Sequence, residues 1–217
     1  LGDVYKRQDI FTVPVQGGKA SQLTSNAAYD SYPVWSPDSK HIAFASDRMG
    51  SLDVFVVAAE GGIPKRLTTP SGKEIPIAFQ NDSTILFSAS LQPSVTDLQF
   101  PSGIFAQVYK VGIQGGRPQM FSSLTMENIS FHPFDTTQWL YQDKKGYEDP
   151  WRKHEKASIT RDIWLCHDKG ERSFEKLTDY AGEDRNPVWA PDGKSYYYLS
   201  EEKGSFNVFQ RTAGKND

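Results

Sequence analysis

Residue types able to do chemistry at close spacing occur at few places in this chain. Cys166-His167-Asp168 gathers a thiol, an imidazole and a carboxylate in three consecutive positions, the ingredients of a metal site or an activated nucleophile. Asp30 and Asp184 each stand three residues ahead of a Pro-Val-Trp triplet, Pro33-Val34-Trp35 and Pro187-Val188-Trp189. A carboxylate there can hold backbone N–H groups at a turn or line a channel. The densest place is the segment 142–156, where Lys144, Lys145, Arg152, Lys153 and Lys156 mix with Glu148, Asp149 and Glu155 around Tyr147 and Trp151. Such a segment can offer a cation and an aromatic surface to a peptide carboxylate, or it can be a solvated loop with a packed tryptophan. Tyr147, Trp151 and Arg152 are its candidate substrate-binding residues.

Recognised catalytic patterns are missing. No Gly-x-Ser-x-Gly is present to set a serine on a strained strand-to-helix turn, and no Gly-rich pattern to cradle phosphates. His154-Glu155 lacks the second histidine of a zinc helix, and no calcium loop with alternating aspartates occurs. The Cys166-His167-Asp168 run reads as part of a strand, where neighbours point to opposite faces and do not share one ion easily. A small buried thiol is the plainer reading of Cys166. His41 is expected to lead a strand toward solvent, and His132, before Pro133, to be a turn residue. No catalytic, cofactor-binding or metal-binding residue is therefore assigned, and no cofactor is expected.

The elements that must position these residues repeat. Tyr32-Pro33-Val34-Trp35-Ser36-Pro37-Asp38-Ser39-Lys40 returns as Asn186-Pro187-Val188-Trp189-Ala190-Pro191-Asp192-Gly193-Lys194. Asp9-Ile10-Phe11 recurs as Asp53-Val54-Phe55, Gln107-Val108-Tyr109, Asp162-Ile163-Trp164 and Asn207-Val208-Phe209, spaced 44, 54, 55 and 45 residues apart. Gly17-Gly18, Gly61-Gly62 and Gly115-Gly116 mark a turn after the first three copies. Leu-Thr comes next at Leu23-Thr24, Leu67-Thr68 and Leu177-Thr178. Each unit reads as four strands. A short aromatic strand (Val34-Trp35) leads into a Pro-Asp-Ser or Pro-Asp-Gly turn whose last residue can take a positive φ. A nearly unbroken apolar strand comes second (Ile42-Ala43-Phe44-Ala45; Tyr196-Tyr197-Tyr198-Leu199), and unbroken runs mean both faces are covered. The Asp-Ile-Phe strand comes third and the Leu-Thr strand closes the unit.

Four short strands in roughly 44 residues, repeated, are the pattern of a β-propeller blade. A sandwich lacks a sequence period, and no unit carries apolar residues at helical spacing. The expected fold is all-β: a β-propeller fragment with three complete four-stranded blades, near 31–69, 75–125 and 128–178, and partial blades at 9–24 and 186–211. The two long spacings place inserts at about 91–106 and at 142–156, and loops that outgrow a repeat are common carriers of function. The octet Leu1–Gln8 fits poorly with the repeat beside it and is expected to be a non-native or disordered leader.

Composition limits the partners. The 217 residues carry 24 Lys+Arg against 27 Asp+Glu, a net charge of -3 that leaves no basic footprint for nucleic acid. No apolar run is long enough for a membrane-spanning helix, and the single cysteine excludes an internal disulfide framework.

Trp35–Lys40 with Ile42-Ala43-Phe44, then Asp53-Val54-Phe55, Gly61-Gly62 and Leu67-Thr68, resembles the TolB-type propeller repeat. Gly146–His154 leading into Thr160-Arg161-Asp162-Ile163-Trp164, then Gly182-Glu183-Asp184-Arg185-Asn186-Pro187, resembles the N-terminal propeller of tricorn-like serine peptidases. That resemblance implies a non-catalytic module that gates or binds peptide substrates, working with C-terminal peptidase and PDZ-like domains of the same chain. It also implies large assemblies, hence a possible homo-oligomer, and six or seven blades in all. No catalytic position of the family maps here, and the turn at His132-Pro133-Phe134-Asp135 departs from the repeat. The runner-up expectation is a TolB-like cell-envelope scaffold that binds a protein partner. Periplasm, envelope and cytoplasm of a prokaryote all remain compatible.

Overall fold

A computed structural model describes residues 8–69, 72–90, 106–146 and 159–214. The described residues are β-strands, turns and loops, with no helix among them. They fall into two compact units, one up to Ser123 and the other from Leu124 onward.

The first unit holds a two-stranded sheet, β1 (Phe11–Thr12) with β2 (Ser21–Gln22), and two four-stranded antiparallel sheets. One is β3 (Asp30–Trp35), β4 (His41–Ser46), β5 (Asp53–Ala58) and β6 (Lys65–Arg66). The other is β7 (Ile75–Asn81), β8 (Thr84–Ala89), β9 (Gln107–Gly112) and β10 (Gln119–Ser122), and both run in chain order. The second unit holds the four-stranded sheet of β11 (Met126–His132), β12 (Asp135–Asp143), β13 (Ile163–Lys169) and β14 (Glu171–Lys176). The three-stranded sheet of β15 (Asp184–Trp189), β16 (Ser195–Ser200) and β17 (Asn207–Thr212) completes it. Three complete blades and a partial blade at each end of the sequence are thus present, as the repeat requires.

Face-to-face packing explains the unbroken apolar strands. Ile42, Ala43, Phe44 and Ala45 of β4 are all buried, so both faces of that strand are covered. Ile42 and Phe44 pack with Phe55, Val57, Ile10 and Leu23. Ala43, with Val54 and Val56 of β5, packs against Phe79, Ile85, Phe87, Tyr109 and Val111 of the next sheet. In the second unit Leu140, Ile163 and Leu165 pack against Trp189, Tyr196 and Tyr198.

The Leu-Thr motif has a structural task. Leu23, Leu67 and Leu177 each donate N–H to the carbonyl of Ile10, Val54 and Ile163, all at 2.8 Å. The adjoining threonine hydroxyl accepts the N–H of the same residue: Ile10 to Thr24 at 3.0 Å, Val54 to Thr68 at 2.9 Å, Ile163 to Thr178 at 3.0 Å. All three threonines are buried, so each latch satisfies a strand N–H that the last strand no longer reaches.

The first strand of the unit is longer than the sequence suggested. It starts at Asp30 and Asp184, and it absorbs Tyr32-Pro33 and Asn186-Pro187 through a bulge between Ser31 and Val34, and between Arg185 and Val188. A proline can sit in a strand where a bulge removes the ladder bond it cannot make. Tyr32 and Asn186 take a left-handed φ at these bulges, of 52° and 56°, as does Asn128, with 50°, at the bulge between Glu127 and Ser130 of β11. Asparagine tolerates that conformation and a tyrosine is strained by it. In the Pro-Asp-Ser turn, Ser39 has φ 58°, and the Asp38 carboxylate accepts N–H of Lys40 (3.1 Å) and O–H of Ser36 (2.7 Å). Gly193 occupies the matching place with φ 67°.

Candidate functional site

The ends of the second insert are fixed by a polar cluster at one end of the second unit. β12 delivers Gln142 and Asp143, the loop after it Lys144 and Lys145, the approach to β13 Thr160, Arg161 and Asp162, and β11 Glu127. Arg161 is the hub: its Nε donates to Glu127 Oε2 at 2.9 Å and its Nη1 to Glu183 Oε1 at 2.8 Å. Lys144 pairs with the other Glu127 oxygen at 3.1 Å. Lys145 donates to the Thr160 carbonyl at 2.8 Å and to Asp162, whose carboxylate also meets Lys176 at 3.1 Å. Gln142 bridges to the next sheet, donating to Glu127 at 2.9 Å and accepting from Asn128 Nδ2 at 2.9 Å and Asn186 N at 2.7 Å. Gly146 and Ile159 nearly touch, since a Cβ on Gly146 would lie 3.1 Å from Ile159 Cγ2. The insert therefore leaves and returns through a narrow neck.

The titrations in this cluster reflect its pairing. Burial opposes charge on Glu127, but Arg161, Gln142 and Lys144 outweigh it and hold the carboxyl below its ordinary range. Burial likewise opposes charge on Arg161 and Lys145, and the carboxylates around them raise both pKa values instead. Acids and bases so paired hold geometry and are poor proton carriers.

Tyr147, Trp151 and Arg152, the substrate-binding candidates, lie outside the described residues, as does His154. Cys166 is fully buried, opposite Trp139 and Phe174 in the ladder, and His167 points to the other face opposite Gln138. Asp168 pairs with Arg172 at 3.0 Å. The structure does not bring the three together, and among the described residues no group of three or more His, Cys, Asp or Glu could hold a metal ion. Asp30 corrects its expectation: the first residue of β3, it is bound through both oxygens by Arg48 Nη2 at 3.0 and 2.9 Å rather than by backbone N–H groups. Asp184, its counterpart, has Glu202 where Arg48 would stand. Burial raises its pKa despite the nearby Ser200 and Thr178 hydroxyls, neither of which makes a well-formed bond to it. His41 is half-buried, its Nδ1 enclosed without a partner, rather than turned to solvent. His132 ends β11, stands edge-on to Trp189 at 4.8 Å, and its Nε2 lies 3.0 Å from the Gly193 carbonyl.

The family model of the tricorn protease N-terminal β-propeller domain matches residues 4–217. The chain belongs to this family. Tricorn protease homolog 1 of Streptomyces coelicolor (strain ATCC BAA-471 / A3(2) / M145) is 37% identical over 214 residues, 96% of this chain and 19% of that protein. The solved tricorn protease superposes with a TM-score of 0.73 at 20% identity, over 96% of this chain and 20% of that one. TolB from Acinetobacter baumannii gives 0.69 at 17% identity, over 93% of this chain and 45% of that one. This tricorn-type propeller segment spans about a fifth of the length of the tricorn relatives it matches, and its likeness to the two solved structures speaks for the fold alone.

Proposed function

We propose that the chain is a non-catalytic propeller module of a tricorn-like serine peptidase that binds or gates peptide substrates. The peptidase and PDZ-like domains would lie elsewhere in the same protein. The observation that carries the reading is the 37% identity to a tricorn protease homologue along 96% of the chain. The charged neck at Arg161 supports it, because it anchors both stems of the segment that bears Tyr147, Trp151 and Arg152. In this reading those three side chains meet the peptide, the ring faces of Tyr147 and Trp151 packing on it and Arg152 taking a carboxylate. The likeness to TolB carries no partner with it, so the scaffold reading has no observation of its own.

The test uses the complete protein. Trp151→Ala and Arg152→Ala are expected to lower kcat/KM for unstructured peptides by about tenfold each while the melting temperature stays the same. Unchanged turnover, or a loss of stability equal to the loss of turnover, would refute the assignment.

A further inference from the structure

The two complete sheet-to-sheet junctions, one in each unit, are built from equivalent residues, and one of them is hollow. Strand register makes Val56, Lys65 and Leu67 the counterparts of Leu165, Glu175 and Leu177. By the same register Phe79, Ile85, Val111, Ile113 and Gln114 match Trp189, Tyr196, Arg211, Ala213 and Gly214. In the first unit this wedge is filled: Ile113 packs on the apolar cluster, and Lys65 Nζ donates to the carbonyl (2.9 Å) and side-chain oxygen (3.2 Å) of Gln114. In the second unit Ala213 and Gly214 are too small to fill it. A cavity of about 380 Å³ remains, bounded by Leu165, Leu177, Trp189, Tyr196, Arg211 and Glu175, with Asp179 also on its wall.

The chemistry of the lining is specific. Trp189 and Tyr196 are 7% and 3% exposed, and the buried indole Nε1 of Trp189 has no hydrogen-bond partner. A buried donor left unpaired is costly and is relieved by an acceptor. Arg211 replaces the apolar Val111 of the sister junction and spends its Nη1 on the Leu177 carbonyl at 2.8 Å. The cavity thus has an aromatic and aliphatic floor, donors in the Arg211 guanidinium and the Trp189 indole, two carboxylates in Glu175 and Asp179, and Lys176, whose ammonium is engaged by Asp162 at 3.1 Å.

We propose that this cavity binds a small zwitterion with an apolar side chain, a hydrophobic amino acid or dipeptide. Arg211 and the Trp189 indole N–H take its carboxylate, Glu175 and Asp179 its ammonium, and Leu165, Leu177 and Tyr196 its side chain. The site is separate from the insert neck and does not depend on the reading above.

The experiment titrates L-phenylalanine, 3-phenylpropionate and phenethylamine calorimetrically into the full chain. The amino acid is expected to bind about tenfold or more tightly than either analogue, each of which lacks one charged contact. Ala213→Ile copies the filled junction and is expected to cut L-phenylalanine affinity at least about tenfold with an unchanged or raised melting temperature. Should that variant fail to fold, Arg211→Gln is the alternative: it should weaken L-phenylalanine and 3-phenylpropionate while sparing phenethylamine. Absence of binding at millimolar concentration, equal affinity for the three compounds, or undiminished binding by the variants would each overturn the proposal.

Discussion

Glu74 offers a quantitative test of how the first unit is held together. It is fully buried between β6 and β7, its Oε2 accepts the Thr68 hydroxyl at 3.3 Å, and Asp53, also fully buried, lies beside it. Arg66 is already engaged by Asp53 at 2.9 Å. Burial first, then the hydrogen bond and charge of Asp53, raise the Glu74 carboxyl from 4.5 to about 7. Between those two pH values the folded chain keeps a proton that the unfolded chain releases, so stability falls as pH rises through that window. At about 1.4 kcal/mol for each pKa unit, the ionised carboxyl costs up to about 3 kcal/mol by pH 8. Glu74→Gln mimics the protonated group, keeping an acceptor for Thr68 and a donor for Asp53. Urea unfolding at pH 4, 5, 6, 7 and 8 should find the variant and the parent nearly equal at pH 4. By pH 8 the variant should be ahead by about 2–3 kcal/mol, equivalent to about 4–12 °C in Tm for a chain of this size. A stability difference that stays flat between pH 5 and 8 would refute the account of a buried Glu74 that holds its proton.

Two other buried groups yield measurable outcomes. Thr178→Val removes the acceptor for the Ile163 N–H and should cost about 1–3 kcal/mol in urea unfolding, with Thr178→Ser recovering most of it; an unchanged stability in Thr178→Val beside a loss in Thr178→Ser would show that the methyl, not the hydroxyl, matters. Burial pushes the Cys166 thiol up to about 11, so a disulfide reagent at pH 8 should label it slowly in the native chain and fully in urea; stoichiometric labelling of the native chain within seconds would contradict its placement.

The blade was legible because its signals are local. The unbroken run at Ile42–Ala45 announces a strand covered on both faces, and β4 is that strand. The Pro-Asp-Ser turn announces a positive φ, and Ser39 adopts it. The first strand was read only at Val34-Trp35 for an equally local reason: a bulge between Ser31 and Val34 takes Tyr32-Pro33 inside β3, so the strand begins at Asp30. The Leu-Thr pairs were visible as a recurrence, while their latch became clear only once Thr68 was seen beside Val54 N. The insert neck was least legible. Arg161 stands 34 positions from Glu127 and 22 from Glu183, and Gln142 stands 44 from Asn186, separations that no motif spacing encodes. The hollow junction is readable in retrospect, as Ala213-Gly214 against Ile113-Gln114, once the register pairs those positions.

The contact between His132 and Gly193 binds the histories of two distant positions. With Nε2 against the Gly193 carbonyl and Nδ1 accepting Phe134 N–H at 3.3 Å, the ring is the Nε2–H tautomer. A Cβ at 193 would lie 2.6 Å from that nitrogen, so no larger residue fits while the imidazole stays. Substitutions at the two places must therefore arrive together, and relatives with a side chain at the position of Gly193 are expected to carry a smaller partner at that of His132. At this junction drift is constrained as a couple, with one member from each of two neighbouring repeats.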